Sequence, residues 1–255
     1  MTVLAEIDRL LRPREQNAES QPEILLRRLV VLAVGLGATY GFFMGWYRVT
    51  LHWGSGHWDG LLQLVSGTIK LPALFLCTLV VTFPSLNVFS ALAGMSLDLS
   101  ATLRLLVSAI VVNLAVAASL GTILAFFTLS TTSYPFMVVL NVALLSVAGM
   151  MGLGYLRRML AQLVPAIPAP PLPPVAVEEQ PTPPASAQPP AAPPVRSGLL
   201  IFRVWTFIYA LVGMQMGWIL RPFIGHPNAG FALFRARSGN FFLGLLENIG
   251  RMFGS

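Results

Sequence analysis

The residues best equipped for chemistry lie close together: His52, His57 and Asp59, in the stretch HWGSGHWDG at 52–60. Two imidazoles and a carboxylate are donors that zinc accepts, but a catalytic zinc wants three well-held ligands. Glycines and a serine separate these side chains, so nothing local fixes their geometry, and no metal or other cofactor is expected. A second polar set sits in apolar surroundings: Thr82, Pro84 and Asn87 within TFPSLNVF, and Asn113, Asn141 and Gln215 in later apolar runs. Proline removes a backbone donor and frees a carbonyl, so a kink or break is expected at Pro84, and the neighbouring hydroxyls and amide can satisfy the freed group. A break at mid-membrane would also make this set a candidate polar site for a solute. His226 with Asn240, near the end of the chain, is a third and weaker pairing.

Other chemistry has no signature. There is no phosphate-cradling glycine loop, nucleophile elbow or HExxH pair. The single cysteine, Cys77, lies inside an apolar run, which excludes a disulfide framework and reads as a small buried side chain. All ten acids fall outside the apolar runs, and a proton-coupled carrier generally needs an ionisable group on its path. An enzyme is not expected.

The elements that must hold these residues are membrane helices. Of 255 residues 55% are hydrophobic and only 10% charged, so the chain is too apolar for a water-soluble globule. A hydrocarbon core about 30 Å thick needs roughly 20 apolar helical residues per crossing. Runs of that kind predict five spans, at about 29–46, 71–93, 103–129, 136–155 and 199–220. The fold class is therefore an all-α polytopic bundle, divided into a leader with a short amphipathic helix (1–28), a four-span domain (29–158), a proline-rich linker (159–197), a fifth span (198–220) and a tail (221–255). Thirteen of the twenty prolines fall between Val164 and Arg196, which makes that stretch an extended solvated linker. In the tail Phe241, Leu245, Ile249 and Phe253 recur at helical spacing opposite Glu247, Asn248 and Arg251, the pattern of an interfacial helix.

Small residues recur four apart within the spans, a spacing that draws one close-approach stripe on a helix. The longest is Ala109, Asn113, Ala117, Gly121 and Ala125, expected to be the seam on which the other helices assemble. Ala33, Gly37, Gly41 and Gly45 form a ladder in the first span, and Gly213 and Gly217 a shorter one in the fifth. Asn113, Asn141 and Gln215 are explained by interhelical hydrogen bonds without any substrate.

The net charge of +6 comes from sixteen Lys and Arg scattered at the ends of apolar runs, which points to lipid headgroups and away from nucleic acid. With the N terminus inside, ten of them face the cytoplasm: Arg9, Arg12, Arg14, Arg27, Arg28, Arg104, Arg157, Arg158, Arg196 and Arg203. That favours a cytoplasmic leader in the inner membrane, although five crossings then leave four tail arginines outside. The expected partners are the bilayer and a membrane protein or a second copy of the chain. The expected role is a non-enzymatic scaffold or accessory subunit acting through helix contacts. A channel or uncoupled transporter with a site near Pro84 is the alternative.

Two passages, KLPALFLCTLVVTFPSLNVFSALAG with the following TLRLL, and MGWILRPFIGHP through RSGNFF, resemble an uncharacterised group of bacterial multi-pass proteins. The plan of a cytoplasmic leader and five spans is similar to Yip1-type membrane proteins, which implies a membrane-organising role through protein contacts. The proline linker before the last span departs from that plan.

Overall fold

The computed structural model describes residues 22–51, 58–92, 99–163, 195–226, 230–234 and 239–254. Among them are six helices and no strand: α1 (Pro22–Leu51), α2 (Asp59–Leu92), α3 (Leu99–Ser130), α4 (Tyr134–Leu163), α5 (Val195–Leu220) and α6 (Phe241–Phe253). Among the described residues four helices are long and apolar enough to cross a membrane, through Leu25–Leu51, Asp59–Leu86, Leu99–Ser130 and Tyr134–Met159. The chain is an all-α helical membrane protein. α5 forms where the fifth span was expected. The leader helix, most of the linker, His52, His57 and the side chain of Asn87 lie outside the described residues.

The helices overrun the expected spans, α1 beginning at Pro22 instead of near 29 and α4 ending at Leu163 instead of near 155, and α2 departs most. It begins at Asp59 instead of near 71, and it continues as one helix through Pro72 and Pro84 to Leu92, so that of the kink or break expected at Pro84 the break is absent. Lys70, just before the expected start of that span, lies well inside the helix. Around Pro84 the helix is supported by its own side chains. Thr78 Oγ1 donates to the Leu74 carbonyl at 2.6 Å, Thr82 Oγ1 to the Thr78 carbonyl at 2.7 Å, and Ser85 Oγ to the Thr82 carbonyl at 2.6 Å. Hydroxyls that bond back one turn keep polar groups satisfied where lipid offers no partner.

Packing runs neighbour to neighbour in the order α5, α2, α1, α3, α4, and α6 touches both α5 and α4. The seam is α1, not α3 as the longer stripe suggested, because α1 has two different packing faces. One is its glycine ladder. A Cβ on Gly37 would lie 3.0 Å from Pro72 Cβ, one on Gly41 2.9 Å from the Gly67 carbonyl carbon, and one on Gly45 2.5 Å from Leu64 Cα, so α1 and α2 meet backbone to backbone. The other face is aromatic. Phe43 fills the space at Gly121 of α3, where a Cβ would lie 2.5 Å from its ring. Tyr40 reaches α4 and donates to Asn141 Oδ1 at 2.8 Å, and Tyr47 donates to the Thr132 carbonyl at 2.7 Å. The α3 stripe is shared between two neighbours: Gly121 faces α1, while Ala109 and Asn113 back onto Gly152 of α4.

α6 is amphipathic in three directions. Asn240 caps it, accepting from the Leu243 amide at 3.0 Å, and Gly239 at φ +71° makes the turn into it. Gly244 lies on the Trp218 ring, where no Cβ fits, and the Trp218 indole donates to the Gly239 carbonyl at 3.2 Å. Phe242, Leu243, Leu246 and Phe253 are exposed, while Glu247 and Arg251 pair at 2.8 Å on another arc. One arc meets the bundle, one suits acyl chains and one suits water, as in a helix lying at the headgroup level.

Candidate functional site, a polar stripe under the tail

Asp59, Gln63, Ser66 and Lys70 recur at intervals of four, three and four, which places them on one face of α2. This is the most polar surface inside the bundle. Gln63 is 0% exposed and Lys70 5%, and Arg48 of α1, at 2%, lies beside them. A charge held so far from water costs several kcal/mol unless it is paired and hydrogen-bonded.

The first part of the tail supplies those partners. Its peptide between Arg221 and Pro222 is cis. Gln63 Nε2 donates to the Pro222 carbonyl at 3.1 Å and to the Phe223 carbonyl at 2.8 Å. The Lys70 ammonium donates to the carbonyls of Pro222 and Leu233, and sits 5.0 Å from the centre of the Phe234 ring. Asp59 Oδ2 takes the Phe231 amide at 3.1 Å and the Arg48 guanidinium at 3.3 Å. Gly225 fits between Arg48 and Gln63, where an added Cβ would lie 3.0 Å from Gln63 Cγ. Arg221 lies over the Trp218 ring at 3.7 Å, and His226 packs on Tyr134 at 4.8 Å between ring centres. Backbone carbonyls therefore stand in for the carboxylate that Lys70 lacks among its described partners.

No family model, curated protein or solved structure matches this chain. The residues singled out from sequence must be placed by geometry alone. Asp59 was considered with His52 and His57 as a metal ligand; its carboxylate holds Arg48 and the tail, and both histidines lie outside the described residues. It is also the first residue of a membrane helix, where all acids had been expected to lie outside the spans. The polar set near Pro84 is spread over different interfaces. Thr82 offers its carbonyl to the Trp205 indole of α5 at 3.2 Å, Asn141 pairs with Tyr40, and Asn113 backs onto α4. Gln215 is half-buried on α5. A Cβ added at Gly213 would lie an ordinary 3.6 Å from Thr78 Cγ2, and one at Gly217 would meet nothing within 4 Å. Ala117 is fully buried and Ala125 half-buried. Asn240 caps α6, and His226 packs on Tyr134.

The stripe itself was missed. Its signal was present in the sequence as D-x3-Q-x2-S-x3-K, a helical polar face entering an apolar run.

Proposed function

We propose that this protein is a non-enzymatic scaffold or accessory subunit of a cytoplasmic membrane, acting through its helix surfaces on a membrane-protein partner or a second copy of itself. The observation that carries this reading is how the interior is filled. Backbones touch at Gly41, Gly45 and Gly67, Phe43 occupies the recess at Gly121, Tyr40 donates to Asn141 between α1 and α4, and the Trp205 indole donates to the Thr82 carbonyl between α5 and α2. Such packing makes a stiff body whose outer helix faces are what it can offer. Among the four long apolar helices α4 is the least covered, only 22% of its apolar stretch being buried against 39–44% in the other three, with Val147, Met150 and Met151 outward. The channel reading is less well supported, because Thr82 and Ser85 beside Pro84 are engaged with their own helix and with Trp205.

The topology we favour is five crossings with a cytoplasmic N terminus. α5 runs antiparallel to α2, since Trp205 meets Thr82 while Pro222 meets Gln63, and this covers the depth that α2 itself crosses. The tail then stands on the face opposite the start of α1.

Purified protein in liposomes tests the reading. Flux of potassium, sodium and chloride should stay at the protein-free level, and Met150→Cys in a Cys77→Ala background should give disulfide-linked pairs when copies or partners meet through α4. Defined solute flux overturns it.

A further inference from the structure

We propose that the described tail pieces, residues 221–226 and 230–234, form a displaceable lid over the α2 stripe. Opening it would expose Gln63, Ser66 and Lys70 to water on the tail side. The manner of attachment argues for a lid. Neither piece is helix or strand, so neither has a backbone ladder of its own. Hydrogen bonds from three side chains of one helix, Asp59, Gln63 and Lys70, tie them to the bundle, and Ile224, 4% exposed, packs into the core beside them. Asp59, which holds the outer end through the Phe231 amide, has a side chain 38% exposed, so water competes there directly.

Beneath the lid two polar atoms lack a hydrogen-bond partner, Gln63 Oε1 and Ser66 Oγ, both in residues more than nine-tenths buried. Buried orphans of this kind are normally met by water. One turn apart on α2, they are a place that gains hydration when the lid lifts, which lowers the difference in free energy between closed and open forms. Irregular backbone at membrane depth is tolerated where it is buried in protein or lines a water-filled cavity. This lid would alternate between those two settings. The open form would present a lysine and an arginine against one carboxylate, a surface attractive to anions.

The test is thiol accessibility at Ser66→Cys in a Cys77→Ala background, in full-length protein reconstituted in liposomes, with a charged, membrane-impermeant methanethiosulfonate added from the tail side. The closed lid should give slow labelling. Adding Asp59→Asn or Lys70→Met should accelerate it roughly tenfold or more, the factor that corresponds to losing one charge-assisted hydrogen bond. Equal rates in all three proteins, fast or slow, overturn the proposal. Should either latch variant fail to fold, amide exchange in the unmutated protein decides: residues 223–226 and 230–234 should exchange well before the middle of α2. Protection equal to that of α2 would mean the segment opens only on global unfolding and is no lid.

Discussion

Gly41→Ala is the most direct test of the α1/α2 contact. The new Cβ would sit 2.9 Å from the Gly67 carbonyl carbon and 3.0 Å from Thr68 Cα, and nearer still to the Gly67 oxygen. Carbon atoms prefer about 3.5 Å or more, so the helices must part by roughly 0.6 Å at least. Both obstructing groups are backbone, which no rotamer change can move aside. Separation there also loosens Gly37 on Pro72 and Gly45 on Leu64, since rigid helices part along their length. Overpacking of this kind costs about 1–3 kcal/mol. Alanine offsets up to about 1 kcal/mol of it through helix propensity, so a control is needed. Gly35 supplies one, because a Cβ there meets nothing within 4 Å on the same helix. Gly35→Ala carries the propensity gain alone, and the gap between the two variants should be the full 1–3 kcal/mol or so. Reversible unfolding in mixed micelles, followed by circular dichroism, measures that gap. Equal stability of the two variants, or Gly35→Ala as the weaker, would refute backbone contact between α1 and α2.

Four further expectations follow from particular contacts. Tyr40→Phe strands Asn141 Oδ1 and should destabilise by about 0.6–1.7 kcal/mol, while adding Asn141→Leu should recover most of the loss, as a double-mutant cycle would show. Trp205→Ala removes a side chain 1% exposed between α5 and α2 and should cost about 3–5 kcal/mol, seen as early protease access to the α5 end of the chain during unfolding. Gly244→Ala should lift α6 off Trp218 and red-shift tryptophan emission, whereas Gly250→Ala, with open space at its Cβ, should not. Glu247→Gln breaks an exposed pair and should change stability by less than about 0.5 kcal/mol, checked in the same unfolding assay.

Sequence reasoning served best where a local pattern suffices. The apolar runs gave the helices, and the amphipathic tail gave α6, whose cap at Asn240 and break at Gly239 are local chemistry. It served worst at Lys70. Hydropathy treats a charge as the end of a span, and only the distant carbonyls of Pro222 and Leu233 make that charge tolerable within α2. Asp59 misled in the same way, since its partners are Arg48 and an amide far along the chain. Pro84 suggested a kink or break because proline removes a backbone donor, but the helix runs on through it, and Trp205 of α5 holds the carbonyl of Thr82 there.

What the residues settled unaided is that this chain lives in lipid as helices, because backbone groups in hydrocarbon must be satisfied within their own segment and apolar runs of sufficient length leave no other choice. What required three dimensions is which surfaces meet. The spacing of Ala109 to Ala125 and of Gly37 to Gly45 looks equivalent in one dimension, yet α1 became the centre because its opposite side carries Tyr40, Phe43 and Tyr47 to fill the recesses of α3 and α4. The polar stripe, likewise, acquires its meaning only when the tail folds back upon it. Periodicity assigns residues to a face of a helix; the partner of that face is set by complementary shape and charge contributed from elsewhere in the chain.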